Sequence, residues 1–139
     1  MKLRVYLDTS VFSAYCDKRV LDRQASTREF WKRLGEFEAT TSELAVEELR
    51  QADDQALRTR FEELLGNVTV YPVTEEMRDL ARCYLADGVF SPAMFNDALH
   101  VAAAVLSRQD VLLSWNFKHL VNRRRRAQVN QVNVQRQGY

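Results

Sequence analysis

The sequence predicts an α/β fold: an open parallel sheet with helices packed on both faces. Short apolar runs rich in β-branched and aromatic residues alternate along the chain with longer stretches of helical periodicity. Glycine and proline are scarce, four and two in 139 residues, which favours long helices over irregular loops. The length suits one domain over 1–139, large enough to bury a core without staples.

The elements follow in order. Residues 3–7 read as a strand ending at Asp8, with Thr9-Ser10 opening a helix. Residues 21–34 read as a helix with an apolar stripe of Phe30, Trp31 and Leu34, stopped by Gly35. Residues 37–41 form a short strand, and Ser42 caps a helix reaching about Gln51. A helix over 54–65 precedes a strand over 68–73. Thr74 then caps the clearest amphipathic helix, in which Met77, Leu80, Ala81, Tyr84 and Leu85 share one face. Ser91-Pro92 starts a helix that runs to about Ser107, with proline at the first helical position. Residues 111–115 make an apolar strand, 117–128 are partly helical, and 132–134 form a last short strand.

Composition excludes several classes. Hydrophobic residues at 46% and charged residues at 28% describe a globular chain, not a disordered one. Cys16 and Cys83 form no CxxC, so neither a disulfide framework nor a structural zinc site is expected, and free thiols fit a reducing cytoplasm. The N-terminal apolar stretch is too short for a signal peptide, and no run could span a membrane. A cytoplasmic protein is the expectation. Charge is uneven: residues 1–117 carry 14 basic and 19 acidic side chains, a balance of −5, whereas Lys118 onward carries six basic and none acidic.

In open parallel sheets, chemistry collects beyond the carboxyl ends of the strands. Asp8 falls there, flanked by the sheet residues Val5, Tyr6 and Leu7. An uncompensated charge in such a place is costly, and a cation relieves it; capping the next helix is the alternative role. Glu48 sits two turns into the helix after the second strand, at the margin of its apolar face, with Glu47 as competitor and Glu43 favouring the helix N-terminus. Asp97 lies among Phe95, Ala98, Leu99 and Val101, where a carboxylate calls for a metal or an arginine partner. Ser114 and Asn116 end the strand from Val111 and share a face, where they offer oxygen ligands or simply a strand-ending turn. Hard oxygen donors of this kind suit Mg²⁺ or Mn²⁺, which can activate water for attack on phosphorus.

These segments resemble the PIN domain family and, within it, the VapC-type toxins of toxin–antitoxin pairs. The likeness rests on Val5–Ser10, Ser42–Leu49, Asp97–Ala104 and Leu112–Phe117, which occur in family order and cover nearly the whole chain. It implies a three-layer α/β/α sandwich with a sheet of about five parallel strands. It implies a Mg²⁺- or Mn²⁺-dependent endoribonuclease that cleaves RNA by metal-activated water. The family's acids fall on Asp8, Glu48 and Asp97; Asn116 takes the position that is often a fourth aspartate, and Ser114 the hydroxyl beside it. Asn116 brings no charge, so one well-held metal is favoured over two. Homodimers and inhibition by a cognate antitoxin are further implications.

Other features carry weaker signals. The run Arg123–Arg126 could meet RNA phosphates, contact an acidic antitoxin, or form a solvated face. His100, one helical turn past Asp97, reads as a packed histidine more readily than as a substrate contact, and His119 is an equally weak candidate. Trp31 and Trp115 read as core. Phe12 and Tyr15 could line an RNA groove or a dimer face. Two rival functions stand beside the nuclease: a non-catalytic interaction module, and an aspartyl-phosphate phosphatase, which would need a second Asp where Ser10 stands.

Overall fold

The computed structural model describes residues 1–116 together with Val129 and Asn133. Its sheet has four strands: β1 Leu3–Leu7, β2 Phe37–Ser42, β3 Thr69–Tyr71 and β4 Val111–Leu113. All pairs are parallel, in the spatial order β3-β2-β1-β4. The α/β fold with a helix-flanked parallel sheet is therefore the one expected. The strand count differs, being four among the described residues instead of about five. The sequence suggests a fifth strand at 132–134, but the one described residue there, Asn133, is helical. The helical reading of 117–128 lies outside the described residues.

Six α-helices supply the crossovers. α1 Thr9–Cys16 and α2 Leu21–Lys32 join β1 to β2; α3 Glu43–Arg50 and α4 Gln55–Leu65 join β2 to β3; α5 Glu75–Ala86 and α6 Phe95–Leu106 join β3 to β4. The side-chain alternation of β1 shows how both faces are covered. Val5 and Leu7 join Phe12 of α1 and Phe61 and Leu64 of α4 in one apolar cluster. Tyr6 points the other way, into a cluster with Leu80 and Tyr84 of α5 and Leu99 and Ala102 of α6. Helix α3 serves both layers, with Leu44 in the second cluster and Leu49 in the first.

The amphipathic face expected for α5 is the one buried, through Met77, Leu80, Ala81 and Tyr84. Its cap is also as expected, since Thr74 Oγ1 accepts from the Met77 N–H at 3.2 Å. Two other caps are corrected. Ser42 stands at the N-cap of α3 but makes no side-chain cap bond; its hydroxyl is taken by Tyr6 at 2.8 Å. Ser91 also makes none, and Pro92 opens a 3₁₀ turn, Pro92–Met94, before α6 begins at Phe95. The hydroxyl-rich end of β2 is buried without loss of hydrogen bonding: Thr40 and Thr41 donate to the carbonyls of Val5 and Leu7. Among the described residues, no helix is long and apolar enough to cross a membrane.

The connectivity fixes where a ligand belongs. From β1 the chain steps through β2 to β3 on one side, then returns to place β4 on the other side of β1. The strand order reverses between β1 and β4. Ligands of open parallel sheets bind in the crevice that such a reversal opens at the carboxyl ends.

Candidate active site

Asp8 occupies that reversal point. Its backbone N–H extends the β1–β4 ladder to the Leu113 carbonyl, at 3.2 Å. Its backbone is extended (φ −77°, ψ 176°), and α1 starts at the next residue. Asp8 is 4% exposed. Oδ1 accepts from the Ser10 N–H at 2.9 Å and the Ser10 hydroxyl at 2.5 Å, while Oδ2 accepts from the Ser114 hydroxyl at 2.6 Å. The capping role weighed for Asp8 is thus real, and it coexists with a seat in the crevice. Ser10 Oγ also accepts from the Trp115 N–H at 2.8 Å, which fixes the end of β4 to the start of α1.

Ser114 and Asn116 extend this arrangement to α6. The Asn116 N–H donates to Ser114 Oγ at 2.8 Å, and its side-chain amide donates to Asp97 Oδ1 at 3.2 Å. A continuous run of hydrogen bonds therefore links Asp8, Ser114, Asn116 and Asp97, all of them expected site residues.

Glu48 forms a second group, joined to the first through the chain at Thr9. The Thr9 hydroxyl donates to Glu48 Oε1 at 2.7 Å, and His100 Nε2 lies 2.7 Å from the same oxygen. His100 Nδ1 is 2.7 Å from the Tyr6 hydroxyl. Of the two competing glutamates, Glu47 is exposed, while Glu48 is half-buried and reaches His100 of α6. Burial pushes the Glu48 carboxyl up, but hydrogen bonds from His100 and Thr9 outweigh it and hold the group below its ordinary value. Burial pushes the Tyr6 hydroxyl well up, so it stays neutral and serves as a hydrogen-bonding group.

Several side chains of this network were not singled out from the sequence as site residues. Tyr6 read as a sheet residue, Thr9-Ser10 as a helix start and Ser42 as a cap. The available signal was their adjacency to Asp8 and to the helix of Glu48. His100 is 2% exposed and fully bonded, as its packed reading expected. Phe12 is fully buried and so lines neither an RNA groove nor a dimer face, because its ring packs edge-on against Trp31 at 5.4 Å. Tyr15 is half-buried between the guanidinium groups of Arg28 and Arg60. Trp115 is half-buried and belongs to neither apolar cluster, so its core reading is not met; its indole N–H donates to Thr27 at 2.8 Å, and the Arg23 guanidinium lies over its ring. His119 and Arg123–Arg126 lie outside the described residues.

The donor chemistry fits a hard divalent cation. Every candidate ligand is an oxygen. The buried Asp8 carboxylate accepts from the neutral Ser10 N–H, Ser10 hydroxyl and Ser114 hydroxyl, and among the described residues no lysine or arginine forms an ion pair with it. A charge so placed is stabilised by a cation. The carboxylates are nonetheless held as two groups. Among the described residues, no three His, Cys, Asp or Glu side chains form a cluster that could hold a metal ion.

Carboxylates at the strand-order reversal of a parallel α/β sheet place hard oxygen donors where such sheets bind their ligands. The chain belongs to the PIN domain family, whose model matches residues 5–117. That span includes Asp8, Glu48, Asp97, Ser114 and Asn116, so the whole site lies inside the matched region. PIN domains are nuclease-type domains and are generally metal-dependent. No curated protein matches the chain.

Proposed function

We propose that the chain is a Mg²⁺- or Mn²⁺-dependent endoribonuclease, the toxin of a type II toxin–antitoxin pair. The observation that carries the reading is Asp8: a buried carboxylate at the β1–β4 reversal, tied through Ser114 and Asn116 to Asp97. Asp8, Asp97 and Asn116 would hold the cation, and Glu48 would join them directly or through water. Such a cation supplies a Lewis acid at the phosphate and lowers the pKa of water for attack on phosphorus.

The protein's own groups prepare the crevice. The Ser114 hydroxyl fixes one oxygen of Asp8, and the Ser10 N–H and hydroxyl fix the other. The Asn116 amide orients Asp97. Thr9 and His100 hold Oε1 of Glu48. The amide at Asn116 adds no charge, which favours one cation over two. RNA as substrate, the cognate antitoxin and the homodimer follow from the resemblance to VapC-type toxins, and the cytoplasmic setting from two cysteines that form no CxxC and fit a reducing compartment.

One observation favours a second reading. The carboxylates do not converge on a single point among the described residues, as would suit a non-catalytic interaction module. The phosphatase alternative gains nothing, because the side chain two residues past Asp8 is the Ser10 hydroxyl, which donates to Asp8 itself. Incubating the purified chain with single-stranded RNA and Mn²⁺ separates the readings. The nuclease reading expects chelator-sensitive cleavage that Asp97→Asn reduces by more than about 100-fold, the upper range for loss of a mere outer-sphere partner. RNA left intact with both Mg²⁺ and Mn²⁺ would sink it.

A further inference from the structure

The buried row Ser42–Tyr6–His100–Glu48 crosses four elements, β2, β1, α6 and α3, and ends on the one site carboxylate outside the Asp8–Asp97 group. Ser42 Oγ lies 2.8 Å from the Tyr6 oxygen, Tyr6 lies 2.7 Å from His100 Nδ1, and His100 Nε2 lies 2.7 Å from Glu48 Oε1. Ser42, Tyr6 and His100 are each 2% exposed or less. Polar groups buried at this depth are kept only when fully bonded, and they then adopt one arrangement.

We propose that His100 is a positioning residue whose Nε2–H aims Glu48 into the metal crevice, with Tyr6 and Ser42 fixing its tautomer; this rests on the metal-dependent reading above. The directions of the bonds follow from the inventory of donors. A carboxylate only accepts, so the proton between His100 and Glu48 belongs to Nε2. Nδ1 of a neutral imidazole must then accept, and the Tyr6 hydroxyl donates to it. The Tyr6 oxygen in turn accepts from Ser42. The Thr9 hydroxyl also donates to Glu48 Oε1, with its own oxygen 3.2 Å from Nε2, so the carboxylate oxygen is held by two adjacent donors at once. The ring is packed edge-on to Tyr6, with centroids 5.8 Å apart at 65°, which restricts its rotation. Fixed outer partners of this kind orient the carboxylates and imidazoles that face a metal, and losing one costs about 10–100-fold in affinity.

Two substitutions divide the ring's two functions. In His100→Gln the terminal amide reaches about where Nε2 stood and can still donate to Glu48. In His100→Asn the shorter amide reaches about where Nδ1 stood and meets Tyr6 alone. Mn²⁺ titrations by calorimetry on the full chain should show His100→Gln close to wild type and His100→Asn weaker by about 10–100-fold. Tyr6→Phe removes one oxygen from the core and guards against misfolding of the His100 variants; it should also weaken binding, in the same direction. The imidazole ¹⁵N spectrum of the metal-free protein should show the Nε2–H tautomer. Wild-type affinity in His100→Asn, with Glu48→Gln weakened, would overturn the role of His100 alone, as would an Nδ1–H tautomer. Failure of the wild type itself to bind Mn²⁺ would overturn the metal reading and this inference with it.

Discussion

Asp8 does two jobs that substitution can separate. Its carboxylate caps α1 through the Ser10 N–H, and its charge is buried at the strand reversal. Asparagine caps a helix as well as aspartate does but carries no charge. Asp8→Asn should therefore keep its resistance to urea in metal-free buffer while losing Mn²⁺ binding. Asp8→Ala should lose both, with a stability cost of about 1 kcal/mol from the missing cap. If the two variants were equally destabilised in urea, the capping role would be wrong. Glu48 gives a pH signature. Its folded-state carboxyl sits below its ordinary value, held there by His100 and Thr9 against the effect of burial. Its contribution to stability is thus present above the unfolded pKa of about 4.3 and fades as pH falls through the lower folded value. Urea midpoints of wild type and Glu48→Gln should converge on acidification from about pH 7 toward about pH 3. A gap that stayed constant would contradict the assignment.

At the scale of elements, the contrast among the three hydroxyl caps shows what could and could not be read from sequence. Thr74 follows a three-residue strand, and among the described residues its hydroxyl bonds only the Met77 N–H, so the local rule holds. Ser42 obeys the same local rule, but a tyrosine 36 positions earlier in the chain takes its hydroxyl. Ser91 is displaced because Pro92 opens a tighter turn before the helix proper. Thr74→Ala should cost about 1 kcal/mol in chemical denaturation. Ser91→Ala should stay within about 0.5 kcal/mol of wild type. An equal loss in both would mean that Ser91 caps after all. The strands and helices themselves were legible because periodicity and punctuation are local. The Asp8, Asp97 and Asn116 positions were legible because carboxylates and amides at strand ends or inside apolar helices are conspicuous. The supporting set was not: Tyr6, Thr9, Ser10 and Ser42 have ordinary local explanations, and only long-range pairing gives them a role.

At the scale of the whole molecule, the order β3-β2-β1-β4 brings the ends of β1 and β4 and the start of α6 to one crevice. Residues 106 positions apart, Asp8 and Ser114, meet there directly. The far side of the same layer is tied to the C-terminal region: Val129 is buried in the α5–α6 cluster, and the Tyr84 hydroxyl donates to Asn133 Oδ1 at 2.5 Å. Tyr84→Phe leaves that buried oxygen without its donor and should cost about 1–3 kcal/mol in thermal or urea unfolding. An unchanged midpoint would show that the C-terminal tie contributes nothing to stability.

The central claim is that this crevice binds a divalent cation through its carboxylates. Calorimetric titration of the purified chain and of Asp97→Asn with Mn²⁺ tests it most directly. The account predicts one Mn²⁺ per chain for the wild type at or below about millimolar concentration, with binding lost in Asp97→Asn. No binding by the wild type at that concentration, or an Asp97→Asn titration that matches it, would contradict the claim.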